Sequence, residues 1–221
     1  MGLQVLGISG SPVKNSNTDR LVKAVLDSTG LESEFVKLSK IDVRPCRACK
    51  RCVEDNVCKV KDDFPDLAEK VKQASSLVVG AYCPYVSIDG FTKSFLERLW
   101  SLRHVNNLVR GKIAVTVVTG TRPETRNLVS ELVAKEMHMD RMDVIGQLKI
   151  KGNVPCLTCG EGDTCQMSAV TRLFGKDAKA SADKCVRVED QKEVWEEAQR
   201  IGQQIRLKIQ EKKREGGLCP K

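Results

Sequence analysis

The chain has 221 residues, 37 Lys and Arg against 29 Asp and Glu for a net charge of +8, with 41% hydrophobic and 30% charged residues. That composition excludes a disordered or fibrous protein, and no run of about 18 apolar residues offers a membrane span. Aromatic residues at 4% and basic residues scattered without a stripe do not make a nucleic-acid surface.

The length suits a single α/β domain of roughly 200 residues, expected over 1–213 with a flexible tail at 214–221. The N-terminus MGLQVLGISGS reads as a first strand rather than a secretory signal, so a cytoplasmic protein is expected. Ten cysteines in a reducing compartment point to metal or redox roles more than to disulfides. The cationic balance suits an anionic cofactor or an acidic redox partner.

Apolar runs rich in β-branched residues predict strands at 3–8, 33–38, 76–82, 112–119 and 143–150. Helical patterns lie between and after them. The first, NTDRLVKAVLDSTG, has Asn17 as its N-cap candidate and Gly30 as its stop; others span 64–75, 90–103, 123–138 and 190–213. Strands alternating with helices predict a parallel sheet covered on both faces. Five such strands admit the doubly wound order 2-1-3-4-5, whose ligand site lies at the carboxyl ends of strands 1 and 3. Function is therefore sought in the loops after strands 1, 3 and 4.

The loop after strand 1, SGSPVKNSNTDR, has the small and hydroxyl residues of a phosphate cradle at a helix N-terminus, with Ser9, Ser11, Ser16 and Thr18 as hydroxyl donors. It is neither a Walker A loop nor G-x-G-x-x-G. A tight turn with a good helix cap explains the same residues.

Here the sequence resembles the NADPH-dependent FMN reductase branch of the flavodoxin-like superfamily, in which G-S-x-R/K-x-x-S/G-N-T binds the FMN phosphate. Gly10, Ser11, Pro12, Lys14, Ser16, Asn17 and Thr18 fit that pattern. Pro84, Tyr85, Val86 and Ser87 look like the loop that borders the flavin ring, before a helix beginning near Asp89. Their order departs slightly from the commoner Pro-Val-Tyr. Thr119, Gly120, Thr121 and Arg122 stand where the family's third flavin loop follows strand 4. The resemblance implies a flavodoxin-like doubly wound sheet with FMN bound across these loops.

PCRACKRCVEDNVCK, within a loop expected at 44–61, spaces Cys46, Cys49, Cys52 and Cys58 as C-x2-C-x2-C-x5-C among Arg44, Arg47, Lys50, Arg51 and Lys59. The run resembles the C-x2-C-x2-C-x3-C-P of bacterial ferredoxins, with a longer last gap and no proline. Zinc more commonly uses two C-x2-C pairs separated by a long spacer, so a 4Fe-4S cluster is the expected occupant and structural zinc the alternative. The flanking cations favour thiolates. Combined with the FMN loops, this run resembles the iron-sulfur flavoprotein family of anaerobic archaea and bacteria.

A second loop, 153–167, carries Cys156, Cys159 and Cys165 after strand 5, candidates for a second metal or cluster with a fourth ligand such as Cys185, Cys83 or an acidic residue. Strand 5 lies about four spacings, roughly 19 Å, from strand 2, so the two groups are not expected to share one centre within a chain. Because strands 2 and 1 are neighbours, the first cysteine loop is expected on the same edge of the sheet as the flavin.

Together these readings imply a redox protein in which a ferredoxin-like donor, or NAD(P)H, feeds a 4Fe-4S cluster and FMN. A small-molecule or protein acceptor is expected near Tyr85 and Arg122, and a homodimer or homotetramer is expected. The rival enzyme is a NAD(P)H-dependent FMN or quinone reductase with structural zinc. A rival of another class is a metal-binding regulatory module without flavin.

Overall fold

The computed structural model describes residues 2–216. Strands β1 (Val5–Ser9), β2 (Ser33–Lys37), β3 (Ser76–Tyr82), β4 (Ile113–Gly120) and β5 (Asp143–Lys151) form one parallel sheet in the order β2-β1-β3-β4-β5. Every expected strand is present, within two residues at each end. The helices are α1 (Asn17–Thr29), α2 (Phe64–Gln73), α3 (Gly90–Leu99), α4 (Pro123–Met139), α5 (Val170–Phe174) and α6 (Lys192–Gly216). Two details differ from expectation at α1 and α3. Ser16, not Asn17, caps α1 through a capping box with Asp19, and α3 stops at Leu99 before a 3-10 turn. The expected tail begins inside a helix, because α6 carries its charged turns on to Gly216; the remaining residues, 217–221, lie outside the described ones.

Both faces of the sheet are covered, which accounts for the nearly continuous apolar runs of β1, β3 and β4. On one face Leu6, Ile8, Leu77, Val79 and Val118 pack under Phe64, Leu67 and Val71 of α2, Phe95 and Leu99 of α3, and Val129, Val133 and Met137 of α4. On the other, Val5, Val78, Val115, Val117 and Leu148 meet Leu21, Val22 and Val25 of α1 and Ala198, Ile201 and Ile205 of α6. Truncating a fully buried side chain such as Leu21 to alanine costs about 2–5 kcal/mol. Helix α1 lies so close to the sheet that a Cβ at Gly80 would stand 2.8 Å from Thr18 Cγ2 and 2.8 Å from Val22 Cγ2. That approach sets the first ligand loop directly over β3.

Residues 38–63, between β2 and α2, do not fold into a strand or long helix. Their neck is closed by backbone pairing of Asp63 N–H to the Asp42 carbonyl at 2.8 Å and by a buried ion pair. Arg98 of α3 donates through Nη1 to Asp62 Oδ2 at 2.5 Å and through Nη2 to Oδ1 at 3.0 Å, both side chains being 0% exposed. The same guanidinium donates to the Arg44 carbonyl at 2.9 Å and lies 4.5 Å over the Phe64 ring. Asp62 in turn accepts the backbone N–H groups of Arg44 and Phe64. Burial alone would raise the Asp62 carboxyl; the bonds from Arg98, Arg44 and Phe64 outweigh it and hold the group below its ordinary value.

Removing one partner of such a pair leaves a buried charge, so Asp62→Ala is expected to cost about 3–5 kcal/mol, and replacing both partners by apolar residues of similar volume far less. Denaturant titration of the two variants checks this. Because the folded carboxyl titrates below its unfolded value, the pair's contribution should be complete at neutral pH and disappear only as pH falls below about 4.

Candidate functional site

The three loops expected to hold a ligand meet at the carboxyl edge of β1, β3 and β4. Gly10 N–H donates to the Gly80 carbonyl at 2.8 Å and Cys83 N–H to the Thr119 carbonyl at 2.8 Å, while the Thr18 and Thr119 hydroxyls share a 2.6 Å bond. Gly10 is required by its surroundings, since a Cβ there would stand 2.0 Å from Thr92 Oγ1 and 2.5 Å from Asp89 Oδ1. Asp89 is fully buried as the N-cap of α3, accepting from the backbone of Thr92 and Tyr82 and from the Thr92 hydroxyl.

Within the first loop, the structure divides the expected residues by task. Ser9 is buried and gives its hydroxyl to Asp19 Oδ1 at 2.6 Å. Asn17 is tied to the chain at 186–188, donating to the Val186 carbonyl and accepting the Val188 N–H. Ser16 holds the cap of α1. Lys14 is exposed and Ser11 buried, and Asn15 turns the chain through a left-handed φ of 49°. Lys14 and the N-terminus of α1 thus offer positive charge and dipole to an anion, while Ser9, Asn17 and Thr18 shape the loop. The Asp19 carboxylate inside the loop is neutralised by Lys37 Nζ at 2.5 Å, which also donates to the Val13 carbonyl. Neither Asp19 nor Lys37 was expected; the Ser-x-x-Asp spacing of 16 and 19 is a capping-box signal that could have found the first.

In the second loop Pro84 is half-buried, Tyr85 is 97% exposed, and Val86 and Ser87 are exposed. Tyr85 has φ of 59°, a left-handed conformation that is strained for a bulky side chain and concentrates at ligand sites. In the third loop Arg122 is exposed at the start of α4, and Gly120 and Thr121 turn their carbonyls to Arg126 Nη1, at 3.0 and 3.4 Å. Arg126 Nε is buried without a partner. Cys83 lies against this arginine's neighbourhood, its thiol pushed up to about 11 by burial.

The cysteine loop takes a different course from the one expected. Cys46, Ala48 and Lys50 line a cavity of about 400 Å³ together with Trp100, Arg103, Met139 and Asp140. These last residues follow α3 or close α4, at the amino edge of the sheet. Asn56 Nδ2 also donates to the Asn106 carbonyl, in the segment leading into β4. Arg122 begins α4, a helix of 17 residues, and at 1.5 Å per residue it stands about 25 Å from the Met139 end. The loop therefore runs from β2 over the α3–α4 layer, away from the carboxyl edge of β1, with its neck pinned to α3 by Arg98.

Its four cysteines lie on one short loop without being gathered at one point. The Cys52 thiol is buried and pushed up chiefly by that burial, and further by the charges of Cys58, Cys46 and Cys49. Bonds from the Arg51 backbone and side chain pull the exposed Cys49 thiol down instead. Ala48 N–H donates to Cys46 Sγ at 3.4 Å, and Ala48 and Lys50 adopt left-handed φ of 49° and 59° that fold the run back on itself. Among the described residues no three His, Cys, Asp or Glu are at metal-coordinating separation. Four cysteine sulfurs on one loop are the donor chemistry that an iron-sulfur group uses.

The second cysteine group is less gathered. Cys156 is half-buried and accepts the Ala169 N–H through sulfur at 3.4 Å, whereas Cys159 and Cys165 are exposed. A smaller cavity of about 190 Å³ lies between this segment and the third loop, bordered by Thr121, Lys151, Leu157, Phe174 and Lys184. All nine described cysteines are free thiols.

Residues 3–154 match the family model described as NADPH-dependent FMN reductase. The chain belongs to that family. An iron-sulfur flavoprotein of Methanosarcina thermophila is 28% identical over 178 residues, covering 79% of this chain and 93% of its own. Another from Methanocaldococcus jannaschii is 30% identical over 139 residues, 62% of this chain and 70% of its own. These relatives place the chain among the iron-sulfur flavoproteins of the FMN reductase family, and it is an FMN-dependent oxidoreductase. In fold it is similar to RosB solved with 8-demethyl-8-formylriboflavin-5'-phosphate, with a TM-score of 0.63 at 15% identity over 95% of this chain and 81% of that one. An archaeal flavodoxin aligns with a TM-score of 0.52 at 13% identity, over 94% and 99%.

Two outcomes follow for an FMN reductase built in this way. Lys14→Ala should weaken FMN binding about tenfold, some 1.4 kcal/mol, while leaving riboflavin, which lacks the phosphate, unaffected; flavin fluorescence titration reads both. In metal-free protein at pH 8, Cys49 should be alkylated first and Cys83 last, since with a thiol near 11 only about one part in a thousand of Cys83 is thiolate. Peptide mass spectrometry against time orders them.

Proposed function

We propose that the chain carries electrons between a ferredoxin-like donor and an acceptor, using a 4Fe-4S cluster on Cys46, Cys49, Cys52 and Cys58 and FMN across the three loops of the carboxyl edge. The observation that carries this reading is the C-x2-C-x2-C-x5-C run of Cys46, Cys49, Cys52 and Cys58, wrapped in Arg47, Lys50, Arg51 and Lys59, on an FMN reductase fold. When bound, the cluster supplies one-electron transfer and FMN both one- and two-electron chemistry.

The chain's own residues divide the remaining work. Lys14 and the α1 N-terminus hold the phosphate; Tyr85, Val86, Thr119, Thr121 and Arg122 border the ring, where the acceptor enters. The four thiolates hold iron, and the surrounding cations offset the charge of the ligated centre. The same cations give an acidic carrier protein a docking field, whose contribution to association falls with ionic strength. With about 25 Å of helix α4 between the cysteine loop and Arg122, transfer is supported best by a homodimer or homotetramer in which one chain's cysteine loop meets another chain's flavin edge. A reducing, cytoplasmic setting keeps the thiols available.

An anaerobic visible spectrum of freshly purified protein, with iron, sulfide, zinc and FMN quantified on the same sample, tests the reading. Flavin bands over a broad shoulder, with about four irons and four sulfides per chain, are expected. Iron near eight per chain would place a second centre on Cys156, Cys159 and Cys165. Zinc without sulfide would overturn the relay and leave a NAD(P)H-dependent reductase; protein without flavin would leave a metal-binding module.

A further inference from the structure

The smaller cavity, about 190 Å³, lies beyond the carboxyl ends of β4 and β5 and touches the third loop only through Thr121. In the order β2-β1-β3-β4-β5 it stands two strand spacings, roughly 10 Å, along the sheet from the gap between β1 and β3, where a doubly wound sheet takes its main ligand. Its walls are tied in place by the chain itself. Asn153 donates through Nδ2 to the Val186 carbonyl at 3.0 Å and accepts the Val186 N–H at 2.8 Å. The Gln191 side chain bonds both the N–H and the carbonyl of Lys151, at 2.9 and 3.0 Å. Leu173 and Phe174 of α5 line another side.

The chemistry of this lining is one-sided. Val154, Leu157, Leu173, Phe174 and Val186 make up half of its ten residues, and its charged members are Lys151 and Lys184, with no acid among them. The Lys184 ammonium donates to Ser181 Oγ at 2.8 Å; the carboxylate of Asp183 stands 3.9 Å from it on a side chain 76% exposed, a contact that neutralises little of its charge. An inorganic anion suits such walls poorly, because oxygens turned toward Leu157 and Phe174 would have no hydrogen-bond partner. A nucleotide is too large, since the volume falls below the ~300 Å³ at which sites for drug-sized molecules begin. What fits is a small organic anion with an apolar body.

We infer that this cavity binds a small aromatic carboxylate, its ring against Leu157 and Phe174 and its charge met by Lys151 and Lys184. The inference stands apart from the cluster reading, because none of Cys46, Cys49, Cys52 and Cys58 lines the cavity. It also needs no electron transfer. Thr121 is the one residue shared with the third loop, so the occupant lies beside whatever that loop holds and does not take its space.

Fluorine NMR titration of 4-fluorobenzoate into the purified full chain tests it, beside 4-fluorobenzamide, which has the same shape and no charge. The carboxylate should bind about tenfold more tightly than the amide. Lys151→Met and Lys184→Met keep an apolar stem and remove the charge; each should weaken the carboxylate about tenfold, some 1.4 kcal/mol, and leave the amide unchanged. Phe174→Ala should weaken both probes. Lys40→Met, which removes the same charge from an exposed position after β2, should change neither. FMN added to saturation should not displace the carboxylate. Two probes that bind alike, no binding of either, an effect of Lys40→Met equal to that of Lys184→Met, or displacement by FMN would overturn the proposal. Protein that takes up no flavin would sink the flavin reading instead, and the comparison of probes and lysine variants would still decide whether this cavity binds the carboxylate.

Discussion

The buried ion pair of Arg98 and Asp62 is the constraint around which the unusual part of this protein is arranged. Two charges removed from water gain little net stability by themselves, but breaking the pair is costly. That asymmetry makes it a fastener. It fixes the neck of a loop rich in charge, without regular structure, to a helix whose other side is buried in the core. The loop would otherwise have no reason to fold, since a run of four cysteines among several cations offers little apolar surface to bury.

Pinning the loop to α3 has a consequence for function. The sheet sends its ligand loops to the carboxyl edge, where Thr18, Gly80, Thr119 and Cys83 join the three segments. The cysteine loop is carried the other way, to the ends of α3 and α4. The two loop groups therefore lie toward opposite ends of the α3–α4 layer. The fold thus sets the three carboxyl-edge loops and the cysteine loop apart.

Much of this was legible in the sequence because it rests on local pattern. Runs such as SLVVGAY and IAVTVVT identify buried parallel strands, and the small residues of SGSPVKNSNT identify the ligand loop. The alternation of elements leaves few topologies. The path of residues 44–61 was not legible: neighbouring strands 2 and 1 suggested a shared edge, but the path is set by a contact between residues 62 and 98, which no local pattern encodes. Similarly, Asn17 and Thr18 carry the motif of phosphate binding, yet their side chains are held by Val186, Val188 and Thr119, partners that only the folded chain supplies. Arg126 went unnoticed because nothing in its neighbours signals that its guanidinium turns back to Gly120.

Anomalous diffraction at the iron edge, from crystals grown without air, tests the central claim most directly. The account predicts iron within the 46–58 loop beside Arg98, with FMN density at the three loops of the carboxyl edge and the two centres approaching each other between chains. Iron only at residues 156–165, a zinc signal in its place, or a cysteine loop lying against the flavin of its own chain would contradict it.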